Sequence, residues 1–167
     1  EKEKLDFANY PYPETLNFNC GDAVLECQGF IALIQRKNAP GQGTWALPGG
    51  FKNRNETFID TIYRELTEEA GLKVPLKVLR GSLIKTKLYD SPTRSFGIPR
   101  NTLAGYIRIA PDPDGRPPKM KARDDALKAD WFTLNDALNK MALYDDHKHI
   151  ISEMTGVMPR PAYVNLG

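Results

Sequence analysis

Cysteine and histidine are scarce: the 167-residue chain holds only Cys20 and Cys27, and only His147 and His149. Two cysteines do not make a secreted disulfide framework, so both are expected as reduced packing residues, the alternative being a bond between them. Without a Cys-x-x-Cys pair, zinc has almost nothing to bind. No apolar run approaches the ~18 residues of a membrane span. The start, Glu1-Lys2-Glu3-Lys4, has no apolar stretch behind it to act as a signal peptide. A cytoplasmic protein is therefore expected, with no membrane partner. A net charge of +2 is too small to argue for nucleic acid as a partner. No G-x4-G-K-[ST] run occurs, which excludes a P-loop; any phosphate must be held by metal and basic side chains.

What is present suits one packed domain. Hydrophobic residues make up 41% and charged residues 26%, enough for a core without disulfides or a structural metal. Residues 1–17 and 157–167 read as tails around a domain at 18–156. Two apolar runs, Asp22–Cys27 and Phe30–Gln35, flank Gln28-Gly29 and predict a hairpin. Thr44–Leu47 predicts a short strand running into Pro48-Gly49-Gly50. Asn55 or Glu56 is expected to open a helix that Gly71 closes. Strands are expected at 73–89 (broken at Gly81), at 101–109 and within 124–132, and helices at 134–141 and 145–154. Mixed strands with a few helices indicate α/β or α+β, an α/β/α sandwich.

The helix near residues 56–70 carries the chemistry. At ~100° per residue, Glu65, Glu68 and Glu69 share about 100° of its surface. Ile59, Ile62, Tyr63, Leu66 and Ala70 form an adjacent apolar stripe, and Arg64 borders the acidic face. A solvated acidic surface is the plainer explanation. Against it, Glu65/Glu69 is a destabilising like-charge pair, and no lysine lies between Lys52 and Lys73. Carboxylates clustered in this way suit a hard divalent ion, Mg²⁺ first, which keeps waters and takes further ligands from substrate phosphates.

The spacing is more specific than the helix. Gly50, five residues, Glu56, seven residues, then Arg64-Glu65-Leu66-Thr67-Glu68-Glu69-Ala70-Gly71-Leu72 resembles the Nudix box, G-x5-E-x7-R-E-U-x-E-E-x-G-U, at all nine defined positions over 23 residues. That resemblance implies a Nudix hydrolase, an α/β/α sandwich that cuts a nucleoside diphosphate linked to another group, with Mg²⁺ (or Mn²⁺) as cofactor. It assigns Glu65, Glu68 and Glu69 as metal ligands, with the Gly50 carbonyl a further one. Arg64 would orient a glutamate, and Glu56 would orient the loop or face the helix dipole. The general base is left between Glu65 and an aspartate of a later loop, Asp124 or Asp125.

Other segments resemble the ADP-ribose pyrophosphatase branch, in particular the Nudix domain of bifunctional proteins with a nicotinamide mononucleotide adenylyltransferase ahead of it. They are Arg36-Lys37-x-x-Pro40-Gly41-x-Gly43-x-Trp45-Ala46-Leu47-Pro48-Gly49-Gly50-Phe51, Asp90-Ser91-Pro92-x-Arg94, Asp124-Asp125-Ala126 and Trp131. The resemblance implies ADP-ribose as the small-molecule nucleotide substrate, cut to AMP and ribose 5-phosphate, and a place in NAD metabolism. Arg36, Trp45, Phe51, Asp90, Arg94, Asp124 and Asp125 are the candidate substrate residues, with Arg100 a further cation. For Trp45 a core position is the plainer reading. His147 and His149 are expected to pack or to face solvent. A homodimer sharing its adenine pocket fits the resemblance, as does an adenylyltransferase domain joined ahead of residues 1–17. Two alternatives stand beside it: a house-cleaning enzyme acting on nucleoside triphosphates or nucleotide sugars, and a non-enzymatic regulator that senses ADP-ribose.

Overall fold

The computed structural model describes residues 16–95 and 98–161, so most of each expected tail, and Phe96 and Gly97 of the 88–100 loop, lie outside the described residues. The chain runs β1 (Phe18–Cys27), β2 (Phe30–Arg36), β3 (Trp45–Ala46), β4 (Gly49–Phe51), α1 (Phe58–Glu68), α2 (Leu76–Gly81), β5 (Leu83–Tyr89), β6 (Arg100–Arg108), β7 (Ala126–Thr133), α3 (Leu134–Asn139) and α4 (His147–Thr155). The seven strands form one mixed sheet. Its spine is ordered β3-β2-β1-β6-β5, with β4 paired to β1 and β7 to β2. β1 and β6 are parallel over nine residue pairs, while the other pairings are antiparallel. The expected hairpin is β1–β2, and its turn residues Gln28 and Gly29 both have positive φ, 52° and 81°, as a two-residue turn requires.

Strand alternation sends the core to both faces. Ala23, Leu25 and Cys27 of β1 pack with Ile62, Tyr63 and Leu66 of α1 and with Leu79 of α2. Val24 faces the other way, toward Leu138 of α3 and Ile150 and Ile151 of α4. Helices thus cover both sides of the sheet, the layered α/β architecture expected. Both cysteines are buried and free of disulfides. Among the described residues no helix is long and apolar enough to cross a membrane.

Two expectations are corrected. The span 73–89 is not strand throughout: Pro75 starts a single helical turn, α2, that buries Leu79, and the strand begins at Leu83. Nor does α1 open at Asn55 or Glu56. Thr57 is its N-cap, in a reciprocal capping box with Asp60. The Glu56 carboxylate is engaged elsewhere, by Asn53 N–H and by Arg64. The far end is as expected: Gly71 has φ 56°, and a Cβ there would stand 2.2 Å from the Lys121 carbonyl oxygen.

Candidate active site

Local chemistry fixes the loop before α1 against the helix. β4 lies antiparallel to β1, so Gly49 and Gly50 pair with Asp22 and Gly21. A Cβ at Gly50 would fall 2.5 Å from Glu65 Oε1, so only glycine lets the loop approach this closely. Arg64 ties the loop down from above. Its Nε and Nη2 donate to Glu56 at 3.0 and 2.9 Å, Nη2 also reaches the Phe51 carbonyl, and Nη1 lies 2.7 Å from both Glu65 and Glu68. This fork holds the Glu56 carboxyl down at about 2, helped by the Asn53 N–H and the Thr61 hydroxyl. The same partners raise the Arg64 pKa, so its charge is permanent.

Beside this loop lies a cavity of about 400 Å³, large enough for a nucleotide-sized ligand. Part of its lining is acidic. Asp22, Glu65 and Glu69 line it and are only 6%, 7% and 9% exposed. Burial pushes all three carboxyls above their ordinary range. For Glu69 the rise is to about 8: desolvation leads, Gly49 N–H donating at 3.0 Å opposes it, and Glu65 and Asp22 add repulsion. Asp22 accepts the Thr102 hydroxyl at 2.8 Å. Cys20 lines the same cavity, its thiol pushed up to about 11 by burial and by Asp22, which makes it a poor nucleophile.

Basic side chains line the same cavity. They are Arg36, Lys37, Arg94 and Arg100, and Tyr144 and His147 line it as well. The Arg36 guanidinium lies 4.0 Å above the Tyr144 ring, and its Nε donates to the Pro40 carbonyl. Arg94 forms a two-pronged ion pair with Asp146 at 2.9 and 3.0 Å. Arg100 reaches the Tyr144 hydroxyl at 3.4 Å, and its Nε is buried without a partner among the described residues.

Of the residues expected from sequence, Gly50, Glu65, Glu69, Arg64, Arg36, Phe51, Arg94 and Asp125 line this cavity. Glu68 does not. Its side chain, 47% exposed, turns to Arg64 on the outer side of the helix. Trp45 is not in the lining either; it packs edge-on against Phe132, with ring centroids 4.6 Å apart. Asp90 and Asp124 are exposed and outside it, and Asp124 takes φ 51° in the turn before β7. Asp125 accepts from the Asn38 amide across the two loops. Among the lining residues without an assigned part in a site are Asp22, Tyr144 and His147. Asp22 had a legible signal, an acid inside the apolar run of β1. Tyr144 carried none, and His147 was expected to pack or to face solvent.

The acidic lining suits a hard divalent cation: buried carboxylates, raised by desolvation and mutual repulsion, face solvent-accessible space. Among the described residues, no three acidic, histidine or cysteine side chains converge enough to enclose an ion. Glu65 and Glu69 would therefore hold one together with backbone oxygen, water or ligand oxygens, which is how Mg²⁺ is commonly bound.

Comparison with known proteins agrees with this geometry. The NUDIX domain model matches residues 21–154. An ADP-ribose pyrophosphatase of Methanocaldococcus jannaschii is 39% identical over 132 residues, 79% of this chain and 69% of the relative. A bifunctional NMN adenylyltransferase/ADP ribose pyrophosphatase of Francisella tularensis, solved with AMP and a Mn ion, superposes with TM-score 0.79 at 31% identity. It is matched over 84% of this chain but only 42% of its own length. The NUDIX domain of Shewanella oneidensis NrtR, solved with ADP ribose, gives TM-score 0.68 at 26% identity, over 89% of this chain and 93% of that domain. With a matching domain model over most of its length and an intact box folded around a buried acidic cavity, the chain belongs to the NUDIX family.

Proposed function

We propose that this Nudix hydrolase cuts ADP-ribose to AMP and ribose 5-phosphate, using Mg²⁺ or Mn²⁺. The observation that carries this reading is the mixed charge of one cavity, which is lined by the buried acids Asp22, Glu65 and Glu69 and by the cations Arg36, Arg94 and Arg100. A diphosphate in this cavity has arginines to meet its charge and carboxylates that can hold an ion against it. Glu65 and Glu69 would hold the ion with the Gly50 carbonyl; once bound, it offsets phosphate charge and favours deprotonation of an attacking water. Arg36 and Arg100 bind and orient the phosphates. Phe51, at the exposed rim, offers an aromatic face to the base. Glu65 and Asp125 both line the cavity, and Glu65 is the proposed base because it is buried beside Gly50. Similarity to the Methanocaldococcus and Francisella ADP-ribose pyrophosphatases, and to the Shewanella domain solved with ADP ribose, supports the choice of ADP-ribose.

The test is AMP release from ADP-ribose, measured beside dGTP, a nucleoside-diphosphate sugar and NADH, with Mg²⁺ and then with EDTA. Metal-dependent turnover led by ADP-ribose is expected. A different leading compound would retain the box chemistry and replace the substrate. Binding of ADP-ribose without turnover would make the protein a sensor.

A further inference from the structure

His147 opens α4 and lines the cavity, although it is only 6% exposed. Its Nδ1 accepts the backbone N–H of Leu47 at 2.9 Å. Tyr144 packs edge-on against the ring at 5.6 Å. Burial holds its pKa down at about 4, against the pull of Asp146, and the positive charges of Arg94 and Arg36 push the same way as burial. The ring is therefore neutral at physiological pH. A neutral imidazole whose Nδ1 accepts a hydrogen bond carries its single proton on Nε2. That N–H has no hydrogen-bond partner among the described residues, while the ring borders space open to ligand. Nε2 is not among the buried unpartnered polar atoms, so within a buried ring it keeps access to open space, where an acceptor arriving with the ligand can meet its N–H.

From this arrangement we infer that His147 is a substrate-binding residue whose Nε2–H donates to an anionic oxygen of the bound nucleoside diphosphate. The inference rests on the proposed function only in taking the ligand to be a nucleoside diphosphate. The same ring holds Leu47, two residues before Gly49, so it joins substrate recognition to the position of the Gly49-Gly50 turn. A neutral donor also suits a place between two arginines, where a third positive charge would be repelled.

Imidazole proton–nitrogen correlation spectra of the ¹⁵N-labelled protein test this directly. They would be recorded in EDTA, without turnover, first free and then saturated with ADP-ribose or ADP, with saturation checked by calorimetry. The free protein should show a bare Nδ1 and a protonated Nε2, and either ligand should shift the Nε2–H signal and slow its exchange with water. An unshifted His147 in a saturated complex would overturn the inference. If ADP binds and shifts His147 while ADP-ribose does not bind, the inference stands and the substrate reading falls. If neither binds, both fall. As a second measurement, His147→Asn keeps an acceptor near Leu47 but lacks the Nε2–H. It should weaken ADP binding roughly tenfold or more while leaving Mn²⁺ affinity unchanged. An unchanged Kd for ADP would also refute the assignment.

Discussion

At Glu69 the carboxyl is enclosed by buried backbone and faces two further acids, Glu65 and Asp22, and this holds it protonated up to about pH 8. The ordinary carboxylate range lies near 4.3. Between those values the folded protein binds more protons than the unfolded chain, so its stability falls as pH rises through that window. His147, with its pKa lowered to about 4, acts in the opposite sense: its contribution is present above about 6.5 and lost as pH falls toward 4. Comparing wild type with Glu69→Gln at each pH removes the histidine term. In EDTA the variant should melt a few degrees above wild type at pH 8, with the difference closing toward pH 5. Its turnover with metal should fall by about a hundredfold or more, because an amide keeps the shape and loses the charge. Near-normal turnover would remove Glu69 from the ligand set. Arg64 acts through geometry: its planar fork meets Glu56, Glu65, Glu68 and the Phe51 carbonyl together. Lysine carries the charge without the fork. Arg64→Lys should therefore lower kcat by roughly tenfold or more with little change in Tm, read from steady-state kinetics and a thermal melt. Equal kcat would mean that charge alone suffices.

Within the loop–helix element, glycine sets how close the loop lies to the acids. Gly50→Ala would press a methyl group against Glu65 Oε1, 2.5 Å from its ideal position. The carboxylate can swing away, so the expected result is loss of Mn²⁺ affinity and turnover in a folded protein, followed by calorimetry and circular dichroism. Gly71→Ala meets a backbone oxygen at φ 56° and has no such escape. It should cost stability instead, on the order of 1–3 kcal/mol by denaturant melt. This contrast also explains what was legible in the sequence. Gly50, Glu56, Arg64, Glu65, Glu69 and Gly71 stand at spacings dictated by one turn and one helix, so their grouping follows from local geometry. Ile62, Tyr63 and Leu66 betray the buried face through the same periodicity. Asp22, Tyr144 and His147 reach the cavity from β1, the α3–α4 loop and α4, and only tertiary packing brings them there. The pairing of Glu68 with Arg64 was likewise illegible, because angular position alone does not say which carboxylates the guanidinium meets. The single turn of α2 is too short to leave a period.

Across the whole molecule, the acidic face of α1 and the arginines of β2, β6 and the 90–95 loop line one cavity. No acidic, histidine or cysteine triad closes around an ion among the described residues. On the proposed function, ligand oxygens would complete the ion's coordination, and the ion would be part of the phosphate site. Two sites that share ligands in this way must be linked, and the linkage is reciprocal: any factor by which nucleotide tightens metal, metal tightens nucleotide. AMP, the proposed product, permits the measurement at equilibrium. Saturating AMP should strengthen Mn²⁺ binding about tenfold, and saturating Mn²⁺ should strengthen AMP binding by the same factor, both read by calorimetry. Metal should also raise Tm with concentration, by about 2.7 kcal/mol of stabilisation at a hundred times Kd. In Glu65→Gln/Glu69→Gln both the metal shift and the coupling should vanish, while AMP still binds weakly through Arg36 and Arg100. Equal AMP affinity with and without Mn²⁺ in the wild type would mean that metal and phosphate bind independently within the cavity. The coordination shell would then have to be completed by the protein and water alone.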